Sequence, residues 1–217
     1  MRKNERSDTA FPTSLSDPTS KMSYILRLGI FGGTFDPIHF GHLIVAEEVK
    51  EKLKLSKLFL VPAASSPHKL GHQILRGSHR AAMIRLAIKG NPYFAFSDLE
   101  IKRPGLSYTI DTLREFRRQN LSAKLFFVMG ADQFVEIETW KEPEEIFRLS
   151  KVVVMTRPGF DLNQVKAKWR KKVVVVKVSQ IGVSATEIRH RIKMGHSIRY
   201  LVPASVESYI RQNKLYL

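Results

Sequence analysis

The chain has 217 residues, contains no cysteine and carries a formal net charge of +16 at pH 7. The lack of cysteine excludes disulfide bonds, iron–sulfur centres and thiol catalysis, and no apolar run reaches the length of a membrane-spanning helix. The length and the 43% of hydrophobic residues suit one α/β domain with a full core. The positive charge predicts attraction to polyanions, which include nucleic acids, acidic membranes and phosphorylated small molecules.

Residues 1–23 are rich in Ser, Thr, Pro and charged side chains, and they show no apolar periodicity. They also lack the apolar centre of a secretory signal. This composition predicts a disordered N-terminal extension, followed by a single domain over residues 24–217. Met22 lies just before the first predicted strand, so it is a candidate start of the native chain.

The chain is organised around the loop between the first predicted strand and the first predicted helix. An apolar run at residues 24–31 predicts a buried strand, and apolar positions 43, 46, 49 and 53 predict a helix that begins near Phe40. Between them, Gly32 and Gly33 let the backbone approach a ligand closely because no Cβ stands in the way. The N-terminus of the helix points unpaired N–H groups at this loop, which predicts an anion site.

His39 and His42 lie three residues apart at this helix start, so both imidazoles are expected on the same side of the anion site. Imidazole N–H groups donate hydrogen bonds to phosphate oxygens that gain charge in a transition state. A plain glycine-rich turn with two exposed histidines is one alternative. A metal pair is another, although zinc usually needs a third and a fourth ligand.

Further apolar runs predict strands at residues 57–62, 93–101, 124–129, 151–156 and 173–176. Helical patterns separate or follow them at residues 79–89, 107–120 and 160–171 and from Pro203 onward. Ser78 is the predicted N-cap of the helix at 79–89. Strands that alternate with helices predict the α/β class, as a Rossmann-like parallel sheet with helices on both faces.

Several polar residues follow predicted strands, at the sheet edge where open α/β sheets bind ligands. His68 and Lys69 are candidate phosphate donors, and a solvated basic loop is the alternative. Asp132 suits a ribose hydroxyl or a metal-bound water, unless it is an N-cap. Thr109 either caps its helix or lies beside N–H groups that suit a carboxylate or a phosphate. Trp140 is either a core residue or stacks on an aromatic ring.

A second anion site is predicted near residue 184. Ser184 and Glu187 have capping-box spacing, so a helix begins at Ala185 and its N-terminus lies on the same sheet edge. Arg189, one turn further on, suits a forked contact with phosphate oxygens, and an ordinary cap with a surface arginine is the alternative. The densest basic cluster, at residues 166–172, is either a solvated helix end or a nucleic-acid patch.

The run GTFDPIHFGH at residues 33–42 resembles the signature of the HxGH nucleotidyltransferase superfamily, in which the α–β phosphate bond of ATP is attacked and pyrophosphate leaves. The run SATEIR at residues 184–189 resembles the second signature of that superfamily, with Ala185 where the family commonly has serine. Four stretches further resemble bacterial nicotinate-mononucleotide adenylyltransferases: PHK at 67–69, SYTIDTL at 107–113, GAD at 130–132 followed by Trp140, and RPG at 157–159. The resemblance covers residues 25–212.

This resemblance implies roles for individual residues. Contacts with ATP are implied for Gly32, Gly33, Thr34, Phe35, His39, His42, Ser184, Thr186 and Arg189. The implied catalytic residues are His39, His42 and Arg189. Contacts with the mononucleotide are implied for Lys69, Thr109, Asp132 and Trp140. Mg²⁺ is the implied cofactor, held through the phosphates and by no side chain.

The activity that the resemblance implies is transfer of the adenylyl group of ATP to nicotinate mononucleotide, which yields nicotinate adenine dinucleotide and pyrophosphate in NAD biosynthesis. The alternatives within the superfamily are transfer to the amidated mononucleotide, to both mononucleotides, or to phosphopantetheine. The alternative from a different class is a non-catalytic nucleic-acid-binding protein, which the charge alone suggests. We expect a cytoplasmic enzyme without a nucleic-acid or membrane partner, and a homo-oligomer is possible.

Overall fold

The computed structural model describes residues 25–64, 74–156 and 165–217. In these ranges six strands form one sheet: β1 Arg27–Gly33, β2 Lys57–Pro62, β3 Phe94–Phe96, β4 Lys124–Gly130, β5 Lys151–Thr156 and β6 Val174–Lys177. The spatial order is β3-β2-β1-β4-β5-β6, and every neighbouring pair is parallel. The predicted α/β class with a Rossmann-like parallel sheet is therefore confirmed.

Nine helices connect or follow these strands within the described part of the chain. They are α1 Phe40–Lys52, α2 Gly77–Ile88, α3 Leu99–Lys102, α4 Thr109–Gln119, α5 Ala131–Val135, α6 Pro143–Leu149, α7 Ala167–Arg170, α8 Ala185–Lys193 and α9 Ala204–Gln212. A 3₁₀ turn at Ile137–Thr139 lies between α5 and α6. None of the helices in the described ranges has both the length and the apolar character that a membrane span needs.

Helices cover both faces of the sheet, and each face has its own hydrophobic core. Side chains alternate between the faces along a strand, so Ile30 and Phe31 of β1 point to opposite cores. Phe31 belongs to the core that also holds buried side chains of α1, α2, α8 and α9. Ile30 belongs to the core that holds buried side chains of α4, α5, α6 and α7. The prediction of helices on both faces is therefore confirmed.

The strand order reverses between β1 and β4. From β1 the chain continues to β2 and β3 on one side of the sheet, and then returns to β4, β5 and β6 on the other side. The connections that leave the carboxyl ends of β1 and β4 therefore run in opposite directions, which opens a crevice between them. Gly33 and Gly130, the last residues of these two strands, lie at this crevice.

The predicted strand at residues 93–101 is wrong beyond Phe96. Its last residues belong to α3, in which Glu100 is buried and its carboxylate accepts a hydrogen bond from Thr112 Oγ1 at 2.8 Å. β3 therefore pairs with β2 over three residues at the edge of the sheet.

The prediction of Ser78 as an N-cap is also wrong. α2 begins at Gly77, with Arg76 in the cap position and no side-chain cap hydrogen bond. A Cβ on Gly77 would lie 2.9 Å from Ile101 Cγ2, so the first turn of α2 approaches α3 too closely for a larger residue. The start of this helix therefore has no capping side chain, and close packing against α3 favours glycine at its first position.

Residues 160–164 of the helix predicted at 160–171 lie outside the described residues, and of the described residues 165–171 only α7 is helical, so the prediction is wrong at residues 165, 166 and 171. The turn is anchored by Trp169, which is 1% exposed and stacks on Phe147 with ring centroids 5.0 Å apart. Its indole N–H donates to Glu138 Oε1 at 3.0 Å. The predicted extension at residues 1–23 lies outside the described residues as well.

Candidate active site

The loop after β1 is shaped by Phe35, which adopts a left-handed backbone conformation with a φ of 49°. Its side chain is 1% exposed, and its ring meets the His42 ring edge-on with the centroids 5.0 Å apart. A residue other than glycine adopts this conformation only where surrounding contacts hold it there. The packed Phe35 ring therefore fixes the path of the loop and supports the position of His42.

The two histidines form a stacked pair, with ring centroids 3.7 Å apart and planes inclined by 27°. His39 is the N-cap residue of α1, and its backbone N–H donates to His42 Nδ1 at 3.3 Å. A neutral His42 therefore carries its proton on Nε2. A Cβ on Gly41 would lie 3.0 Å from His39 Nδ1, so the glycine between the histidines makes room for the stacked rings.

Arg189 connects the region after β6 to the loop after β1. Its Nη1 donates to the backbone carbonyl oxygen of Asp36 at 2.8 Å, and its Nη2 donates to Thr186 Oγ1 at 3.3 Å. Ser184 is the N-cap of α8, and its Oγ accepts a hydrogen bond from the Glu187 backbone N–H at 3.1 Å. The predicted N-cap is therefore confirmed, and two segments that lie 153 residues apart meet at one place.

A cavity of about 870 Å³ lies where these groups converge. Its walls come from the loop after β1, the start of α5 and the start of α8. The polar residues that line it include His39, His42, Asp132, Ser184, Thr186 and Arg189. Two helix N-termini, an imidazole pair and a guanidinium offer hydrogen-bond donors and positive potential to an anion. We call this space the imidazole cavity.

A second cavity of about 410 Å³ lies between the end of β1, the start of α4 and the segment before α6. Trp140 forms part of its wall, and the Trp140 ring packs edge-on against Phe127 with centroids 6.0 Å apart. Thr109 is the first residue of α4 and lines the same space, while Tyr108 occupies the cap position. Of the two alternatives for Thr109, the one in which it caps its helix is therefore excluded. We call this space the Trp140 cavity.

The two cavities share part of their walls, because Thr34 and Asp132 line both of them. Thr34 follows β1, and Asp132 is the second residue of α5, which follows β4. Asp132 is thus not an N-cap, since Gly130 takes that position. The shared residues place the junction of the cavities at the reversal of strand order.

Glu100 is a buried carboxyl group in the wall of the Trp140 cavity, with 8% of its surface exposed. Burial raises the pKa of Glu100, although hydrogen bonds from Thr112 and Ser107 act in the opposite direction. Ser107 Oγ also accepts a hydrogen bond from the Ala64 backbone N–H at 2.9 Å. Glu100 therefore belongs to a network that joins the start of α4 to the end of β2.

Arg80 is 1% exposed and binds backbone carbonyls from two loops. Its Nη1 donates to Thr34 O at 2.8 Å, its Nε to Leu75 O at 3.0 Å, and its Nη2 to Ala64 O at 3.5 Å. Burial lowers the pKa of Arg80, but a guanidinium keeps its charge in proteins. Arg80 therefore holds the loops after β1 and β2 at a fixed distance from each other.

The sequence matches the cytidylyltransferase-like family model over residues 30–191. A relative from Thermomicrobium roseum, named "Probable nicotinate-nucleotide adenylyltransferase", is 48% identical over 195 residues, which cover 88% of this chain and 91% of the relative. A relative of the same name from Thermus thermophilus is 44% identical over 191 residues, which cover 88% of this chain and 100% of the relative. The chain belongs to the nicotinate-nucleotide adenylyltransferase family.

Solved structures of remote nicotinate-nucleotide adenylyltransferases have the same fold. The Plasmodium falciparum nicotinic acid mononucleotide adenylyltransferase complexed with NaAD aligns with a TM-score of 0.73 at 19% identity, over 88% of this chain and 97% of that one. The same Plasmodium protein complexed with APC aligns with a TM-score of 0.71 at 19% identity, over the same shares of the two chains. The predicted nucleotidyltransferase fold is confirmed.

Within this nicotinate-nucleotide adenylyltransferase fold, most of the predicted ATP contacts line the imidazole cavity: Thr34, Phe35, His39, His42, Ser184, Thr186 and Arg189. Gly32 and Gly33 line the Trp140 cavity instead. The predicted mononucleotide contacts Thr109, Asp132 and Trp140 line the Trp140 cavity. Lys69 lies outside the described residues.

Three polar residues that support the site carried no assigned role in the sequence prediction, namely Asp36, Arg80 and Glu100. Asp36 lies within the GTFDPIHFGH run, so the motif itself indicates that Asp36 belongs to the site. Arg80 looks like an ordinary helix charge in the sequence and Glu100 like a charge in the predicted strand at residues 93–101, and the burial of both depends on partners distant along the chain. Within the described residues, no group of three or more His, Cys, Asp or Glu side chains is placed to hold a metal ion.

Proposed function

We propose that this protein transfers the adenylyl group of ATP to nicotinate mononucleotide. An oxygen of the mononucleotide 5′-phosphate attacks the α-phosphorus of ATP, and the bond from that phosphorus to the bridging α–β oxygen breaks. The products are nicotinate adenine dinucleotide and pyrophosphate. The relatives named nicotinate-nucleotide adenylyltransferase at 40% to 48% identity support this reaction.

The observation that carries the proposal is the meeting of two unlike cavities at Thr34 and Asp132. The imidazole cavity suits the triphosphate because its donors converge on one space. The Trp140 cavity suits a nicotinate ring because Trp140 and Phe127 provide aromatic surface. A mononucleotide in the second cavity brings its phosphate to the junction, where an in-line attack on bound ATP needs it.

In this proposal His39, His42 and Arg189 stabilise charge that develops on the phosphates. The attacking phosphate oxygen is already anionic, so the reaction needs no side-chain nucleophile. The N–H groups at the starts of α1 and α8 add donors that are oriented before the reaction begins. Ser184 and Thr186 support the second of these helix starts, and Phe35 supports the first.

Mg²⁺ fits the donor chemistry of the imidazole cavity as a metal held mainly by the substrate. Mg²⁺ prefers oxygen ligands and commonly binds through phosphates and water, with one or two carboxylates. Asp132, a carboxylate in the shared wall, would offer an oxygen to such an ion. When bound, the ion supplies positive charge that neutralises the triphosphate. The imidazoles and the Arg189 guanidinium would donate hydrogen bonds to phosphate oxygens.

Acceptor recognition is assigned in this proposal to Thr109 and Trp140. The first N–H groups of α4 lack acceptors within the helix, and they suit the nicotinate carboxylate. Trp140 provides the surface against which the pyridine ring packs. Lys69 keeps its proposed contact with the mononucleotide phosphate. The cytoplasmic location and a possible homo-oligomer remain predictions.

The test is pyrophosphate release from Mg²⁺-ATP with nicotinate mononucleotide, its amide and phosphopantetheine offered separately. We expect release with the acid to exceed release with the amide by at least about tenfold, because the α4 N–H groups favour a carboxylate. Equal release with acid and amide would replace the proposed specificity by a dual one. Release with phosphopantetheine alone, or no release with any acceptor, would overturn the proposed function.

A further inference from the structure

A hydroxyl group from the segment after α9 reaches the loop that carries the paired histidines. Tyr216 Oη donates to Asp36 Oδ1 at 2.7 Å, across 180 residues of sequence. Asp36 is 3% exposed and lies three residues before His39. Tyr216 lines neither of the two cavities, so it has no direct place in substrate binding.

The segment that carries Tyr216 is held in a defined conformation. Lys214 and Tyr216 both adopt the left-handed backbone region, with φ values of 50° and 67°. Between them, the Leu215 backbone N–H donates to Ile210 O at 3.0 Å, and the Leu215 side chain is buried. Two residues other than glycine keep this conformation only where contacts determine it. These contacts therefore fix the position from which the Tyr216 hydroxyl donates to Asp36.

Asp36 is a junction of three hydrogen bonds from three segments of the chain. Its Oδ1 accepts from Tyr216, and its Oδ2 accepts from the Leu75 backbone N–H at 3.3 Å. Its backbone carbonyl accepts from Arg189 Nη1 at 2.8 Å. A change in the orientation of Asp36 therefore moves an acceptor that holds the Arg189 guanidinium.

The Tyr216 hydroxyl is protonated at any physiological pH. Burial, and then the negative charge of Asp36, raise the pKa of Tyr216. A protonated phenol donates to the carboxylate, and a hydrogen bond to a charged acceptor is stronger than one between neutral groups.

We propose that Tyr216 is a positioning residue for adenylyl transfer, because it fixes Asp36 and thereby orients Arg189 in the imidazole cavity. This inference rests on the proposed function of that cavity. The effect passes through Arg189, and Tyr216 touches no substrate. Small displacements of a group that stabilises a transition state reduce the rate much more than they reduce ground-state binding.

The first variant is Tyr216→Phe, which removes the hydroxyl and keeps the ring. We expect kcat to fall about tenfold, and the KM for nicotinate mononucleotide to stay within about twofold, since Tyr216 is remote from the Trp140 cavity. The matched control is Tyr209→Phe. The Tyr209 hydroxyl lies 3.0 Å from His79 Nδ1, so it also ties α9 to its neighbours but has no contact with Asp36.

A double-mutant cycle separates positioning from general support of the fold. Arg189→Ala removes the group through which Tyr216 is proposed to act. In that background we expect Tyr216→Phe to change kcat by less than about twofold, because the two effects share one path. A further tenfold loss in the Arg189→Ala background would overturn the inference, and so would a tenfold loss in the Tyr209→Phe control.

The thermal unfolding midpoint of each variant completes the test. We expect the Tyr216→Phe and Tyr209→Phe variants to lose similar amounts of stability, while only the first loses turnover. Near-normal kcat in Tyr216→Phe with an active wild-type enzyme would overturn the inference alone. A wild-type enzyme that releases no pyrophosphate would overturn the proposed function, so the two failures are distinguishable.

Discussion

The imidazole cavity and the Trp140 cavity are built on different physical principles. The imidazole cavity is assembled from segments far apart in sequence by polar contacts, such as those from Arg189 and Tyr216 to Asp36. The Trp140 cavity is walled by aromatic side chains, hydroxyl groups and the buried Glu100. The imidazole cavity suits a charged group such as a phosphate, whereas the Trp140 cavity suits the shape of an aromatic ring. Variants in the first should therefore change kcat, whereas variants in the second should change the KM of the acceptor.

The largest expected effect is that of His42→Ala. Loss of one oriented donor to a developing phosphate charge should lower kcat on the order of 10²–10³-fold. Steady-state pyrophosphate release at saturating substrates would measure it. The control is His190→Ala, because His190 is exposed on α8 and lines neither cavity. Near-normal turnover of His42→Ala would contradict the catalytic assignment of the imidazole cavity.

Arg189→Lys is expected to have the next largest effect, a fall in kcat of about tenfold to thirtyfold. Lysine keeps the charge but lacks the fork that lets Arg189 reach Asp36 O and Thr186 Oγ1 together. The matched control is Arg191→Lys on the same helix, where Nε donates to Ser197 O at 2.8 Å. Equal losses in both variants would mean that arginine supports α8 and not the reaction.

Trp140→Ala tests the Trp140 cavity, where we expect a change in KM and not in kcat. We expect the KM for nicotinate mononucleotide to rise about tenfold, because an aromatic wall of the Trp140 cavity, the proposed acceptor site, is lost. The KM for ATP should stay within about twofold. Trp140→Phe keeps an aromatic ring and should lie between wild type and Trp140→Ala. An unchanged acceptor KM in Trp140→Ala would show that the mononucleotide binds elsewhere.

The smallest expected effect is on stability, at Glu100. Burial raises the pKa of this carboxyl, so the native state binds the proton more tightly than the unfolded chain does. The free energy of unfolding therefore falls as pH rises above the ordinary glutamate value of about 4.3. Glu100→Gln removes this titration and keeps an oxygen for Thr112, so its stability relative to wild type should increase between pH 5 and pH 8.

Denaturant unfolding of both proteins across this pH range would measure the difference. Glu115→Gln is the control, because hydrogen bonding to Arg118 lowers the pKa of Glu115 to about 2. The carboxyl group of Glu115 then titrates below pH 5 in both the native and the unfolded state. The difference in the free energy of unfolding between Glu115→Gln and wild type should therefore stay constant above pH 5. A constant difference for Glu100→Gln would contradict the burial of its charge.

The buried parallel strands were the most predictable part of the fold. β2 and β5 have the predicted boundaries, 57–62 and 151–156, because both are short apolar runs bounded by polar residues or proline. β3 lies at the sheet edge and has only three residues, which are too few to show the alternation of apolar and polar side chains that predicts a strand. α2 begins where Gly77 meets Ile101, and that contact depends on the tertiary structure.

The same division holds for the site. That the histidines, Ser184 and Arg189 line one cavity was predictable, because they lie in two short sequence runs at helix starts that follow strands. Arg80 bonds to Thr34, 46 residues earlier, and Tyr216 bonds to Asp36, 180 residues earlier. Nothing in the neighbouring sequence marks such a residue as buried. The residues that hold the site are thus harder to read from sequence than the residues that line it.

The shared wall of Thr34 and Asp132 has a kinetic consequence for the proposed reaction. In that reaction each substrate would occupy one cavity, but the dinucleotide product would span both, so it would be retained by two sets of contacts at once. Pyrophosphate is held by the imidazole cavity alone and should depart sooner. Release of the dinucleotide should then be the slower of the two product-release steps. Its signature would be inhibition of the reaction by added dinucleotide at lower concentrations than by added pyrophosphate.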